Sequence, residues 1–250
     1  MVNNPVAIIT GAGGGIGCAI ALTLARKGWR LVLADRSQAT LENCRRQCAA
    51  LSTPLHCVPG DISREEDVAA LIDAANSKFG GCQGFVSNAG AAGAVAAIED
   101  YPSAAFHQLM AVNVLGAFFC LKYALPLLRQ SGGSFVAIAS TSAIRGRANM
   151  SGYVASKHAL LGLVRSSALE CVGSNVRVNA VLPGPTQTAM IEEINQKAAQ
   201  RVPGGGITRA LAAPYGQPQD VANTVAFLLA DESRHMNGAA LVTDAGSTLA

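Results

Sequence analysis

Charge is scarce in this chain. Asp, Glu, Lys and Arg make up 14% of its 250 residues, and 19 basic against 16 acidic side chains leave a net charge of +3. That excess is too small and too scattered for a basic patch, so no nucleic-acid partner is expected. No uninterrupted apolar run approaches the ~18 residues that span a bilayer, so no membrane partner is expected either. The start, Met1-Val2-Asn3-Asn4-Pro5, lacks a basic n-region and leads straight into a short apolar run, which predicts no signal peptide. The seven cysteines include no Cys-x-x-Cys pair. Cys44 and Cys48 share a helix face, but no His stands at ligand spacing beside them. Free thiols in a reducing cytoplasm are the expectation, with no disulfide and no metal. Repeats, low-complexity tracts and linkers are also missing.

What the chain has in quantity is apolar side chains, 50% of the total. With no linker, this predicts one large domain over 1–250, with a sheet covered on both faces. Val6 to Thr10 is a continuous apolar run. It ends in Gly11-Ala12-Gly13-Gly14-Gly15-Ile16-Gly17 and passes into a helical pattern, Ile16 to Lys27, closed by Gly28. Between a strand and a helix, such glycines allow a tight turn, a close backbone approach to a pyrophosphate and close helix–strand packing. The helix N-terminus adds free N–H groups and a positive dipole end. The next strand, Arg30 to Ala34, ends in Asp35, about 20 residues past the glycines, where a carboxylate accepts from ribose hydroxyls and repels a 2′-phosphate. Arg36 beside it could instead meet a phosphate. The carboxylate at the strand's end and the absence of a basic side chain at Gly14 favour NAD over NADP.

Helix Thr40 to Ala50 and strand Leu55 to Val58 lead to Pro59-Gly60-Asp61-Ile62. Asp61 either reaches an adenine amino group or caps the helix that runs from Glu65 to about Phe79. Strand Gly84 to Ser87 ends in Asn88-Ala89-Gly90, small enough for backbone to pass close to a cofactor. Ser103 to Arg129 reads as a long apolar helix with Pro126 near its end. Asn113 inside it needs hydrogen-bond partners.

A run from Phe135 to Ala139 then feeds Ser140, and a helix spans Tyr153 to Cys171. Tyr153 and Lys157 are four apart and share a helix face. A free phenol ionises near pH ~10, too high for a base at neutral pH. An ammonium one turn away favours the phenolate. Ser140, at the strand's end, can hold a substrate oxygen, and Ser142 is a second hydroxyl beside it. Strand Val176 to Leu182 is followed by Pro183-Gly184-Pro185-Thr186-Gln187-Thr188. The segment from about 186 to 215, with Pro203-Gly204-Gly205-Gly206 in its middle, is long for a connection and reads as a substrate lid. A helix from about Pro218 to Leu229 and a strand, Ala240 to Asp244, close the chain. Strands alternating with helices predict a parallel α/β sheet covered on both faces. Ligands bind such sheets beyond the strands' carboxyl ends, and the residues singled out fall there.

Several of these pieces form one ordered set: Thr10-Gly11-x-x-x-Gly15-Ile16-Gly17, Asp61, Asn88-Ala89-Gly90, Asn113, Ser140, Tyr153-x-x-x-Lys157 and Pro183-Gly184 with Thr188. Together they resemble the short-chain dehydrogenase/reductase family over essentially the whole chain. The resemblance implies a single-domain, doubly wound Rossmann-type sheet of seven strands in the order 3-2-1-4-5-6-7. It implies a catalytic tetrad of Asn113, Ser140, Tyr153 and Lys157. Tyr153 would be the acid/base, Ser140 would hold the substrate oxygen, and Lys157 would lower the Tyr pKa and bind the nicotinamide ribose. Asn113 would position a water in a proton relay. Ser140 is preferred to Ser142 because its offset from Tyr153, 153 − 140 = 13, matches the family. Cofactor contacts are expected at Gly11, Gly13, Gly14, Gly15, Ile16, Gly17, Asp35, Arg36, Asp61, Ile62, Asn88, Ala89, Gly90, Tyr153, Lys157, Pro183, Gly184, Thr186 and Thr188. Family members pair through the two long helices, which implies a homo-oligomer, a tetramer or else a dimer. The departures are Ser87 for a second Asn, Pro214 for an Arg before Tyr215-Gly216, and Asn237-Gly238 for Thr-Gly.

The expected activity is reversible, NAD-dependent hydride transfer with a secondary alcohol or ketone. Ser140, Ser142, Ile144, Met150, Tyr153 and Met190 are the expected substrate contacts, with Ala91, Ala92, Ala143, Ala189 and Ile191 around them. Their small or apolar character predicts an uncharged, fairly hydrophobic substrate of small to medium size, rings included. Arg145 and Arg147 either belong to a solvated loop or recognise a carboxylate or phosphate. Two rival readings are an NADPH-dependent carbonyl or 3-oxoacyl-(acyl-carrier-protein) reductase and a non-catalytic dinucleotide sensor or scaffold.

Overall fold

Seven parallel strands form one sheet in the order β3-β2-β1-β4-β5-β6-β7. They are β1 (Val6–Thr10), β2 (Arg30–Asp35), β3 (Leu55–Pro59), β4 (Gly84–Ser87), β5 (Gly133–Ile138), β6 (Val176–Pro183) and β7 (Ala240–Thr243). The computed structural model describes residues 4–201 and 215–249. The helices are α1 (Gly15–Arg26), α2 (Gln38–Ala49), α3 (Glu65–Phe79), α4 (Ser103–Met110), α5 (Gly116–Ser131), α6 (Ser151–Glu170), α7 (Ala189–Arg201) and α8 (Pro218–Leu229).

The continuous apolar runs become central strands because both faces of the sheet are covered. Alternate side chains of one strand enter opposite cores. Val6 and Ile8 of β1 join Phe85, Phe135 and Val178 under α3, α5 and α6. Ala7 and Ile9 join Leu31, Val136 and Val181 under α1, α2 and α8. Phe85 and Phe135 stack across β4 and β5 with ring centroids 5.1 Å apart, both fully buried. Local chemistry sets the helix ends. Ser37 accepts from the Thr40 N–H at the start of α2. Gly80 takes a left-handed conformation, φ 76°, to close α3. Pro218 and the reciprocal Gln217–Asp220 bonds open α8.

Two elements differ from expectation. The long apolar helix is a 29-residue helical run, Ser103–Ser131, with a wider π turn at Ala111–Leu115 that holds Asn113. By length and composition this run could cross a membrane, but half of its most apolar window is buried in the protein. Its apolarity is accounted for by the core it packs against. The expected lid begins as an ordered helix, α7. Thr188 starts it, accepting from the Ile191 N–H, and Lys197 pairs with Glu193 one turn earlier. The remainder, with Pro203-Gly204-Gly205-Gly206 and Pro214, lies outside the described residues. Asn237, the residue in place of Thr, accepts from Val178 N–H at 2.9 Å and donates to the Ala168 carbonyl at 2.8 Å, tying β6 to α6.

The sheet's core makes a direct prediction. Phe135→Ala removes one ring of the buried stack and should cost about 3–5 kcal/mol of unfolding free energy in urea. A loss under about 1 kcal/mol would contradict the packing described.

Candidate active site

The strands' carboxyl ends open on a cavity of about 320 Å³. At its first wall the chain leaves β1 through the glycine turn. Gly11 has φ +62°, and a Cβ there would stand 2.7 Å from the Ala89 Cα. A Cβ on Gly17 would stand 2.1 Å from the Gly11 carbonyl oxygen. Neither position admits a side chain. Gly14, the N-cap of α1, makes no side-chain cap bond, and Gly14, Gly15, Ile16 and Gly17 at the start of α1 line the cavity. This is a cradle for a phosphate-bearing group, and the residues present fit a dinucleotide.

Two side chains bolt this turn to the neighbouring strand. The Asn88 amide donates to the carbonyls of Thr10 at 3.0 Å and Gly11 at 2.9 Å. The Thr10 hydroxyl accepts from the N–H groups of Asn88 and Ala89. Gly13 is a correction, because it does not border the cavity. Its N–H donates to Asp35 Oδ2 at 2.9 Å, and a Cβ would meet Thr40 Oγ1 at 2.3 Å. Gly13 therefore lets α2 approach and orients the Asp35 carboxylate, whose other oxygen accepts from the Ser37 N–H.

Asp35, Arg36, Asp61 and Ile62 line one end of the cavity. Burial pushes Asp61 up, but bonds from Ser63 and the charges of Arg36 and Arg64 outweigh it and hold the carboxyl below its ordinary range. Its Oδ1 is occupied by the Ser63 N–H and hydroxyl, while its own N–H donates to Asp67. Asp61 thus makes a turn before α3 and borders the cavity at once. Asn88, Ala89, Gly90, Pro183, Gly184, Thr186 and Thr188 line it as well.

At the other end stand Ser140, Tyr153 and Lys157. Ser140 has extended backbone, and its Oγ accepts from the Ser142 N–H at 3.1 Å. Lys157 is 5% exposed, and its ammonium donates to the Ile138 carbonyl at 2.9 Å. Burial pushes its pKa down to about 8. Burial also raises the Tyr153 phenol above its ordinary value; the Ser140 hydroxyl bond and the Arg147 charge act against that rise without cancelling it. The Lys157 ammonium stands 5.7 Å from the Tyr153 ring centroid. Asn113 is buried behind the cavity wall. Its Oδ1 accepts from Ala91 N–H at 2.8 Å, and its Nδ2 donates to the Ala91 carbonyl and the Ser156 hydroxyl, both at 3.0 Å. The side chain braces the Gly90–Ala91 backbone.

Ser142, Met150, Met190, Ala91, Ala189 and Ile191 border the cavity as expected. Ile144 does not; it is 46% exposed and turned out of the lining. Ala92 and Ala143 are buried behind the wall. Ile194 was missed, since its place depends on α7 forming, and so were Ser156 and Thr10 as braces. Arg145 donates to the Ser247 carbonyl at 2.8 Å, whereas Arg147 lines the cavity.

Buried Lys157 makes a stability prediction. A folded pKa near 8 against an ordinary value near 10.5 means the unfolded chain binds more protons between them, so stability rises with pH there. Wild type should gain on the order of 2 kcal/mol over Lys157→Met between about pH 7.5 and about pH 9.5 in urea unfolding. A pH-invariant difference would contradict the burial of a titrating amine.

Comparison with known proteins agrees with this geometry. A family model described as Enoyl-(Acyl carrier protein) reductase matches residues 11–248. Levodione reductase of Leifsonia aquatica is 35% identical over 258 residues, covering 98% of this chain and 94% of that protein. Cyclohexanol dehydrogenase of Acinetobacter sp. (strain SE19) is 35% identical over 247 residues, covering 98% and 96%. The crystal structure of an NAD+-bound xylitol dehydrogenase superposes with a TM-score of 0.91 at 31% identity, covering 98% of this chain and all, 100%, of that one. With its glycine cradle, its Tyr153–Lys157 helix and relatives that match it end to end, the chain belongs to the short-chain dehydrogenase/reductase family of NAD(P)-dependent oxidoreductases.

Proposed function

We propose that the chain interconverts an uncharged secondary alcohol and its ketone with NAD as the redox partner. One observation carries the reading. Tyr153 and Ser140 line the same cavity as the glycine cradle. Gly11, Gly14, Gly15, Ile16 and Gly17 would hold the pyrophosphate, Asp35 the adenosine ribose, and Lys157 and Thr188 the nicotinamide half. When bound, the nicotinamide supplies the hydride acceptor and donor.

In the oxidative direction Ser140 donates to the substrate oxygen and Tyr153, as phenolate, takes its proton. In the reductive direction the neutral phenol returns it. Asn113 is a positioning residue that keeps Gly90 and Ala91 against the cavity. Met150, Met190, Ile191 and Ile194 give the substrate apolar contact, which favours a fairly hydrophobic molecule of small to medium size. The relatives named for levodione and cyclohexanol support rings among the candidates. Helix α7 brings three of these side chains over the cavity and serves as the lid's ordered part.

NAD is proposed over NADP because Asp35 presents a carboxylate held by two backbone N–H groups. A homo-oligomer is proposed from the apolar side chains left exposed along the two long helical runs, Leu115 and Phe118 on one and Leu169 on the other. The seven free thiols suit a reducing cytoplasm.

Two tests follow. Tyr153→Phe should lower turnover by at least ~10²-fold on secondary alcohols while calorimetric NAD affinity stays nearly unchanged. In wild type, oxidation should quicken and ketone reduction slow as pH rises through the raised Tyr153 pKa; turnover that survives the mutation would refute the assignment. Asp35→Ala should weaken NAD and improve NADP in the same titration. Wild-type preference for NADP, or efficient reduction of an acyl thioester ketone with NADPH, would favour the rival reductase.

A further inference from the structure

Among the described residues, the charged side chains lining the cavity are Asp35, Arg36, Asp61, Arg147 and Lys157. All but Arg147 have a place in the cofactor reading. Asp35 is held by two backbone N–H groups, and Arg36 follows it in the chain. Asp61 is held by Ser63, and Lys157 by the Ile138 carbonyl. Arg147 comes from the connection between β5 and α6. The same connection gives Ser140, Ser142 and Met150 to the lining and leads into Tyr153. The stretch proposed to face substrate thus carries a guanidinium as well as hydroxyls.

This loop is tied down. The Met150 N–H donates to the Arg147 carbonyl at 3.3 Å, and the Ala96 N–H donates to the Asn149 carbonyl at 2.8 Å. Asn149 takes a left-handed turn, φ 63°, between these two bonds. The Arg147 side chain has donors to spare. It is half-buried, and among the described residues its one hydrogen bond goes to the buried Thr141 hydroxyl, at a long 3.4 Å. No carboxylate of the described residues lies in salt-bridge range of it. Residues 202–214 contain no Asp or Glu. Arg145, two positions earlier, gives its guanidinium to the Ser247 carbonyl and does not border the cavity. A cation partly stripped of water, with donors unused, costs free energy that an incoming acceptor would repay.

The surroundings limit what that acceptor can be. Met150, Met190, Ile191 and Ile194 make much of the nearby lining apolar. A substrate carboxylate would bring a second anion into the enclosure where oxidation forms the Tyr153 phenolate. A ketone or hydroxyl oxygen accepts from the guanidinium without that repulsion. In a mostly apolar pocket, one placed donor of this kind fixes a ligand's orientation.

We propose that Arg147 is a specificity-determining residue whose guanidinium donates to a second, uncharged oxygen of the substrate, set away from the reacting carbon. The substrate class then narrows from secondary alcohols in general to hydroxyketones, diols and their oxidised forms. The reacting oxygen is the one given above to Ser140 and Tyr153, so the proposal rests on that reading.

The test uses matched pairs of secondary alcohols that differ by one neutral oxygen, cyclohexanol with a hydroxycyclohexanone among them. NAD-linked kcat/KM is measured in wild type, Arg147→Met and Arg147→Lys. The readout is the ratio within each pair, so a change in the poise of the phenol acts on both members and cancels. Wild type should favour the oxygenated member by roughly tenfold or more. Arg147→Met, which keeps much of the bulk and none of the donors, should lower that ratio by about tenfold to a hundredfold. Arg147→Lys should retain part of the preference, which a merely structural role would not require. If the Met variant does not fold, Arg147→Leu is read the same way. A wild-type ratio near one, or a ratio that the Met substitution leaves unmoved, overturns the part given to Arg147. So does a wild-type preference for a carboxylate-bearing alcohol over both members. Wild type that turns over no pair, or a Tyr153→Phe enzyme that keeps its turnover, overturns the reading beneath.

Discussion

The site depends on the hydrogen bonds that join the ends of β1 and β4. The sheet grows outward in both directions from this pair, since β2 and β3 lie beyond β1 and the later strands beyond β4. A crevice opens where the order reverses. The Asn88 amide closes onto two β1-side carbonyls, and the Thr10 hydroxyl takes two β4-side N–H groups. These bonds bring the glycine turn within backbone contact of Ala89, too close for any Cβ at Gly11. Each further feature of the cavity is positioned from that seam.

On the far side of the seam the constraint is desolvation. Burial opposes ionisation of Tyr153 and protonation of Lys157 together. Neither group is stable in its charged form by location alone, and a less active protein could replace both with apolar side chains. The neighbours that offset the cost are few: the Ile138 carbonyl for the ammonium, and the Ser140 hydroxyl with the Arg147 charge for the phenol. Such a site trades stability for a poised proton acceptor.

Much of this was legible in sequence. Val6–Thr10, Gly84–Ser87 and Pro218–Leu229 occupy the ranges their patterns predict, because apolar runs bounded by glycine and proline leave little choice of ends. The positions at strand ends followed from alternation alone. Other features depend on distances in space. Helix α7 was hidden by the Pro- and Gly-rich stretch after it, although Thr188, Glu192 and the Glu193–Lys197 pair were visible signals. Gly13 looked like a phosphate contact until the approach of Thr40 showed what its missing side chain admits. The four-residue spacing of Tyr153 and Lys157 places them together but says nothing of burial, which raises the phenol and lowers the ammonium.

The central claim is that substrate oxygen, phenol and Ser140 hydroxyl converge at one point beside the bound dinucleotide. A crystal structure with NAD and an unreactive alcohol analogue tests it most directly. The account predicts the analogue's oxygen within about 2.6–3.2 Å of both hydroxyls, with the nicotinamide against it. An analogue seated elsewhere, or a Tyr153 ring turned from the nicotinamide, would contradict it.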